Sequence, residues 1–186
     1  MGKLVEIDQR LKEFIEAQHV FFVATAPSGP DGHVNVSPKG IEALRVRGPR
    51  EVAYADYPGS GIETVAHLRD NGRIVIMLCA FAGPPRVVRL HGRGVALEPQ
   101  DAGFEELRFQ LGPEAMPTRS IIRVEVERVS DSCGFGVPLY QFQEQRTQLT
   151  RWAEKKGAEG LRDYELRKNA QSVDGLIGLR WAQPAE

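Results

Sequence analysis

The sequence predicts a mainly β, α+β fold: a six-stranded antiparallel barrel, closed or nearly closed, with peripheral helices and a helical C-terminal arm. Three observations predict it. Short runs rich in β-branched and aromatic residues recur across residues 19–140, mostly at hairpin spacing and separated by Gly, Pro and Asp. No G-x-G-x-x-G fingerprint and no Walker phosphate loop appears, which argues against a doubly wound sheet. Residues 144–169 then change character, with Leu149, Trp152, Leu161, Tyr164 and Leu166 set among many charges, too few apolar positions for a core of their own. The 186 residues read as one domain, with an N-terminal helix at 1–18, the barrel at 19–140 and the arm at 141–186.

The elements follow in order. Leu4, Ile7, Leu11, Phe14 and Ile15 fall at three- and four-residue intervals, so the first eighteen residues make an amphipathic helix, with Lys3, Glu6, Arg10 and Glu13 on its wet side. Val20 to Ala26 is a strand closed by the turn P-S-G-P-D-G. His33 to Ser37 is the next strand, and Pro38, which has no N–H, takes the chain out of the sheet and presents Ser37 and Lys39 at a strand end. Ala43 to Val46 and Glu51 to Asp56 are joined by R-G-P-R as a hairpin. Arg73 to Phe81 is continuously apolar and is expected to be buried on both faces. Arg86 to Leu97 alternates, placing Arg89, His91 and Arg93 on one face, and its Gly92 and Gly94 mark a bend or the close approach of another backbone. Pro99 starts a short helix reaching Leu111, and Ile122, Val124 and Val126 belong to a last long strand with one wet face. Two helices broken near Lys156-Gly157 form the arm.

The stretch from Val52 to Asn71 organises the barrel. V-A-Y-A-D-Y alternates as a strand, P-G-S-G breaks the period, and Ile62 to Leu68 resumes at helical spacing. Gly59 and Gly61 let a ligand come close, and Ser60 sits where an N-cap hydroxyl belongs, beside helix N–H groups that favour an anion. Two readings stand at this point: Ser60 caps its own helix, or the turn holds a phosphate.

Composition restricts the partners. Hydrophobic residues at 41% and charged residues at 26% fit a globular chain, and a net charge of -1 supplies no global field for nucleic acid or an anionic membrane, so phosphate recognition has to be local. The longest apolar runs are too short to span a bilayer and the first residues lack the order of a secretion signal, so a cytoplasmic location is expected. Cys79 and Cys133 make neither a disulfide framework nor a metal spacing, and the four histidines are scattered; no metal is expected. No hydrolase or kinase signature is present, and no catalytic side chain is assigned.

The motifs H-V-N-V-S-P-K-G (33–40), A-Y-A-D-Y-P-G-S-G (53–61) followed by a helix and D-N-G-R, and P-R-V-V-R-L-H-G-R-G (85–94) occur in this order, with S-D-S-C-G-F-G-V-P (130–138) behind them. As an ordered set they resemble the pyridoxamine 5′-phosphate oxidase-like family, the flavin-binding split barrels, over residues 15–140. The resemblance implies a homodimer of split barrels with FMN in a groove between subunits. It implies that Lys39, with Val36 and Ser37 beside it, meets the phosphate, that Gly59, Ser60 and Gly61 form the turn of the site, that Tyr54 and Asp56 run beside the flavin, and that Arg86 opens the later strand near the cofactor. It further implies an FMN-dependent oxidoreductase acting on a small molecule, with NADH or NADPH as a hydride donor. A flavin-binding or storage protein without turnover, and a split barrel holding deazaflavin or haem, are the alternatives.

Departures from the resemblance are specific. Where the family's true oxidases have an arginine before the lysine, this chain has Val34; where they have an Arg-Lys pair after the turn serine, it has Gly61-Ile62; and Val87 stands for their glutamine. Leu179-Arg180-Trp181 only superficially resembles their substrate-binding segment. Pyridoxamine phosphate is therefore not the expected substrate. Main-chain N–H groups from Gly59 to Ile62, with Arg89 or Arg93 of either subunit, are expected to replace the missing cations.

Overall fold

The structure, a computed structural model, describes residues 6–113 and 116–183. Seven strands build its sheet where six were expected: β1 (Phe21–Thr25), β2 (Asn35–Lys39), β3 (Leu44–Gly48), β4 (Glu51–Asp56), β5 (Arg73–Cys79), β6 (Val87–Leu97) and β7 (Ser120–Ser132). All pairings are antiparallel, in the order β2-β1-β5-β6-β7-β4-β3. The strand order matters for shape. β2 and β3 stand at opposite edges of the sheet, yet only residues 40–43 join them, a link that spans at most about 17 Å fully extended. The sheet therefore has to curl until its edges approach, and it does so without β2 pairing to β3. That curl brings the end of β2 to the end of β4.

Bending is built into the longest ladder. The β6–β7 register shifts between His91 and Gly92, and a Cβ at Gly92 would collide with the Glu125 carbonyl. Only glycine admits that approach, as the sequence suggests. Val23, Val52, Ile76, Leu90, Ile122 and Val124 line the inside of the curl with no exposed surface. Each such side chain contributes about 1.5–3 kcal/mol by leaving water.

Two local expectations are corrected. Pro38 does not end β2 but pairs in register with Phe22, which it can do because β2 is an edge strand and one side of it needs no N–H donor. β5 is not buried on both faces: Ile74, Ile76 and Leu78 on one face are buried, whereas Val75 and Met77, which alternate with them onto the other face, are half-buried.

Helix α1 (Gln9–Glu16) starts at Asp8, whose side chain accepts from the Leu11 N–H, and buries Leu11 and Ile15; Lys3 and Leu4 of the expected helix lie outside the described residues. Helix α2 (Glu63–Asn71) lies across β1, β5 and β6 and ends at Gly72 in the left-handed conformation. A single short helix, α3 (Phe104–Arg108), buries Phe104 and Leu107 and leaves Phe109 exposed. The arm is α4 (Gln148–Asn169), interrupted at Gly157, with φ 64° and ψ 174°, where the sequence places the break. A 3-10 turn, Arg180–Ala182, follows, and Leu179 enters the core.

Candidate functional site

Asp56 ends β4 with no exposed surface, and the curl surrounds it with donors. Lys39 Nζ donates to its Oδ1 at 2.7 Å, while Arg119 Nε and Ser120 Oγ donate to its Oδ2 at 2.8 and 3.1 Å. Burial by itself would push the carboxyl toward its neutral form. Arg119 and Lys39 outweigh burial and hold Asp56 well below the usual carboxylate range.

The turn after β4 is held from inside. Arg119 Nη1 donates to the Gly59 carbonyl at 2.9 Å and to Asn169 Oδ1 at 3.0 Å, and Nη2 donates to the Gly61 carbonyl at 2.7 Å. Asn169 Nδ2 adds bonds to the carbonyls of Gly59 and Ser60 at 3.0 and 3.4 Å. Three successive carbonyls thus face inward. In a trans peptide the N–H points opposite the C=O, and the chain has no cis bond, so the N–H groups of Ser60, Gly61 and Ile62 face outward. Among the described residues none of these three N–H groups has an acceptor. Ser60 is not the helix cap: Ile62 holds that position, with no side chain bonded to the orphan N–H groups, because α2 begins only at Glu63.

A cavity of about 400 Å³ opens beside this turn, lined by Ser37, Lys39, Gly59, Gly61, Thr64 and Arg119 among others. Its wall is ordered by a polar chain in which Ser37 Oγ donates to Asn35 Oδ1 at 3.0 Å, and Asn35 Nδ2 donates to Thr25 Oγ1 and Thr64 Oγ1, both at 3.1 Å. Thr25 Oγ1 lies 3.0 Å from Nδ1 of His67, a buried imidazole whose burial favours its neutral form despite Asp174. Tyr57 also lines the cavity, its phenol pushed up to about 12 by burial and therefore kept as a donor, aimed at the Ile41 carbonyl at 3.5 Å.

The other residues singled out from sequence lie elsewhere. Tyr54 is wholly buried with its ring edge-on to Phe21 at 5.3 Å, and Val36 projects from the outer face of β2. Arg86 donates from Nε and Nη2 to Asp131 Oδ2 at 2.8 and 2.5 Å and covers the Phe14 ring. Arg89 Nη1 reaches Ser132 Oγ at 3.3 Å. Neither arginine borders the cavity. Arg93 bonds the Asn71 carbonyl. Sequence reasoning missed Arg119 and Asn169 as residues that hold this chain's own turn. Arg119 had one readable signal: it stands just before the last apolar strand, the place a cation would occupy opposite the acidic end of β4.

An antiparallel sheet curled until a lysine at its edge meets a strand-to-helix turn is the split-barrel architecture, and comparison places the chain within it. The family model for pyridoxamine 5′-phosphate oxidase matches residues 7–133, more than half of the chain, and the protein belongs to that family. It is 35% identical over 192 residues to the pyridoxamine 5′-phosphate oxidase family protein ustO of Aspergillus flavus, a match covering 95% of this chain and 77% of the relative. Among solved structures it resembles HupZ of Group A Streptococcus, with a TM-score of 0.55 at 22% identity over 68% of this chain and 94% of the other. It also resembles an FMN-binding protein of Syntrophomonas wolfei, with a TM-score of 0.50 at 17% identity over 72% and 90% of the two chains.

The residues present fit the phosphate end of such a cofactor through main-chain groups more than through charge. Three outward N–H groups, the uncapped start of α2, and Lys39, whose ammonium among the described residues donates only to Asp56, supply donors. Glu63, at the rim of the same cavity, and Asp56 limit the positive potential.

Proposed function

We propose that this protein is an FMN-dependent oxidoreductase that acts as a cytoplasmic homodimer on a small-molecule substrate, with NADH or NADPH as hydride donor. The observation that carries the reading is the convergence of Lys39, Ser37, Gly59 and Gly61 on one cavity, beside a turn whose amides at residues 60–62 have no acceptor among the described residues, in a member of this family. Lys39 and the turn would hold the phosphate, and the hydroxyls of Ser37 and Thr64, fixed by Asn35, would orient the ligand at the cavity wall. FMN supplies hydride or electron transfer when bound; the chain binds it, positions it and excludes water. Exposed Val36 on edge strand β2 and Val34 just before it, with exposed Phe135, Leu139 and Tyr140 beyond β7, support a second copy covering apolar surface of this chain. The FMN-binding neighbour adds support for the choice of flavin.

Mass spectrometry of the small molecule released on denaturing freshly purified protein tests the reading. FMN is expected, bleached at 450 nm (roughly, the oxidised flavin band) on adding NADH or NADPH. A colourless protein that takes up no flavin overturns it. Flavin binding without turnover is the second reading, favoured by Arg180: its guanidinium is engaged by Glu98 and Asp101 and leaves no free cation for a substrate at the Leu179-Arg180-Trp181 segment. Failure of every nicotinamide and oxidant to turn over bound FMN selects that reading.

A further inference from the structure

We infer that Arg119 and Asn169 are positioning residues of the flavin-phosphate site, and that through Asn169 the docking of the C-terminal arm is coupled to occupancy of the Gly59–Ile62 turn. The inference rests on the flavin reading for its ligand and on the geometry of the chain for its mechanism.

The turn could present its amides outward only if its carbonyls have partners inside. Two glycines make the alternative conformations of this segment cheap, so something has to select one. Arg119 does so with a forked donor that no lysine could imitate: Nε fixes the guanidinium to Asp56, and the two terminal nitrogens take the Gly59 and Gly61 carbonyls. The guanidinium is itself oriented by the Asn169 amide, whose oxygen accepts from Nη1 while its nitrogen donates to the Gly59 and Ser60 carbonyls. Asn169 therefore closes the cluster from the far end of the chain.

Asn169 is also the last residue of α4, and its own backbone is pinned. Its carbonyl accepts from the Leu179 N–H at 2.8 Å, and a side chain on Gly178 would collide with that carbonyl. Its side chain has no exposed surface, whereas most of α4 is exposed. The arm thus bonds the turn through one wholly buried amide at its end, while Leu149 near its start lines the cavity. An arm that leaves takes two carbonyl donors from the turn and one acceptor from Arg119. By linkage, a ligand that binds only the ordered turn must in return hold the arm down by the same factor.

Amide NMR of the ligand-free protein and hydrogen exchange with and without FMN, both on the full-length protein, test the two halves. In the ligand-free protein, Asn169→Ala should shift and broaden the backbone amide resonances of the Gly59–Ile62 turn, because these N–H groups have no acceptor among the described residues and report the conformation that the lost carbonyl donors select. Unchanged resonances there overturn the positioning role, whatever the ligand proves to be. In the parent, FMN should slow exchange in residues 59–64 and 162–172 together, and in Asn169→Ala it should slow only 59–64. Slowing of 59–64 alone in the parent overturns the coupling while leaving flavin binding intact. If FMN alters neither segment, the flavin reading fails, and the ligand-free comparison still decides the role of Asn169. Arg119→Lys, which keeps the charge facing Asp56 and loses the fork, should behave as Asn169→Ala does; parent-like amide resonances of the turn in it would remove Arg119 from the cluster.

Discussion

Lys39 closes β2 and Arg86 precedes β6, and each meets a carboxylate, Asp56 at 2.7 Å and Asp131 at 2.5 Å. From the sequence the two cations look alike. The fold separates them by what surrounds the carboxylate. Asp56 is wholly buried, shared with Arg119 and Ser120, and set beside a cavity; the Asp131 side chain is 38% exposed and among the described residues serves Arg86 alone. A charge pair organises a site when burial obliges its neighbours to converge on it. In water the same pair is one of several interchangeable surface contacts.

Breaking each pair from its acidic side should give the largest contrast. Asp56→Ala leaves Arg119 buried without its counter-ion and should destabilise the fold by about 3–5 kcal/mol, the range for removing one partner of a buried ion pair. Asp131→Ala should cost no more than about 1 kcal/mol, because solvent screens an exposed pair. Urea denaturation of the two variants checks this, and equal losses would erase the distinction.

The ligand side of the comparison comes next. Lys39→Ala should weaken FMN binding about 10- to 150-fold, equivalent to about 1.5–3 kcal/mol for a charge-assisted hydrogen bond to phosphate. Arg86→Ala, away from the cavity, should stay within about threefold. A flavin fluorescence titration reads both, and the reverse order would move the site to the β6 end of the sheet.

These contrasts mark how far the sequence can be read. Strand positions, the R-G-P-R hairpin, the bend at Gly92 and the break at Gly157 are local matters of alternation and glycine, and they were legible. The meeting of Lys39 with the P-G-S-G turn at one cavity was legible because motif order carried them. The edge placement of β2 and β3 was not, since a four-residue link normally joins neighbours in a sheet, and only curling of the whole sheet separates them. Arg119 and Asn169 stayed hidden for a related reason: they lie 63 and 113 residues from Asp56 and meet it or its turn only after the curl and the arm are in place. Periodicity shows which face a residue takes, but it says nothing about what another element lays against that face.

Acid titration separates the buried carboxylate from the rest. The folded value of Asp56 lies below its ordinary 3.8, so the unfolded chain binds the extra proton first. The stabilisation is complete above about pH 4 and is lost as pH falls through the folded value, with a slope of up to about 1.4 kcal/mol per pH unit from this group. Asp56→Asn should flatten the fall of the urea midpoint between pH 4 and pH 2 (roughly the window opened by the shift). An unchanged slope would mean that Asp56 is not the group whose protonation loosens the site.

The smallest effect is expected at the residue that first drew attention to the turn. A serine acting as N-cap contributes about 0.5–2 kcal/mol, so replacing it with alanine would be felt throughout α2. Here Ser60 is exposed and α2 starts at Glu63 behind an uncapped Ile62, so Ser60→Ala should change stability by less than about 0.5 kcal/mol. Its N–H, which alanine keeps, is the group the turn presents, so FMN affinity should fall by less than about threefold. A loss of stability near 1 kcal/mol would restore the capping role, and a large loss of affinity alone would make the hydroxyl a phosphate ligand in its own right. Either result would shift the site's chemistry from the main chain that Arg119 orders to the side chain that the sequence puts in view.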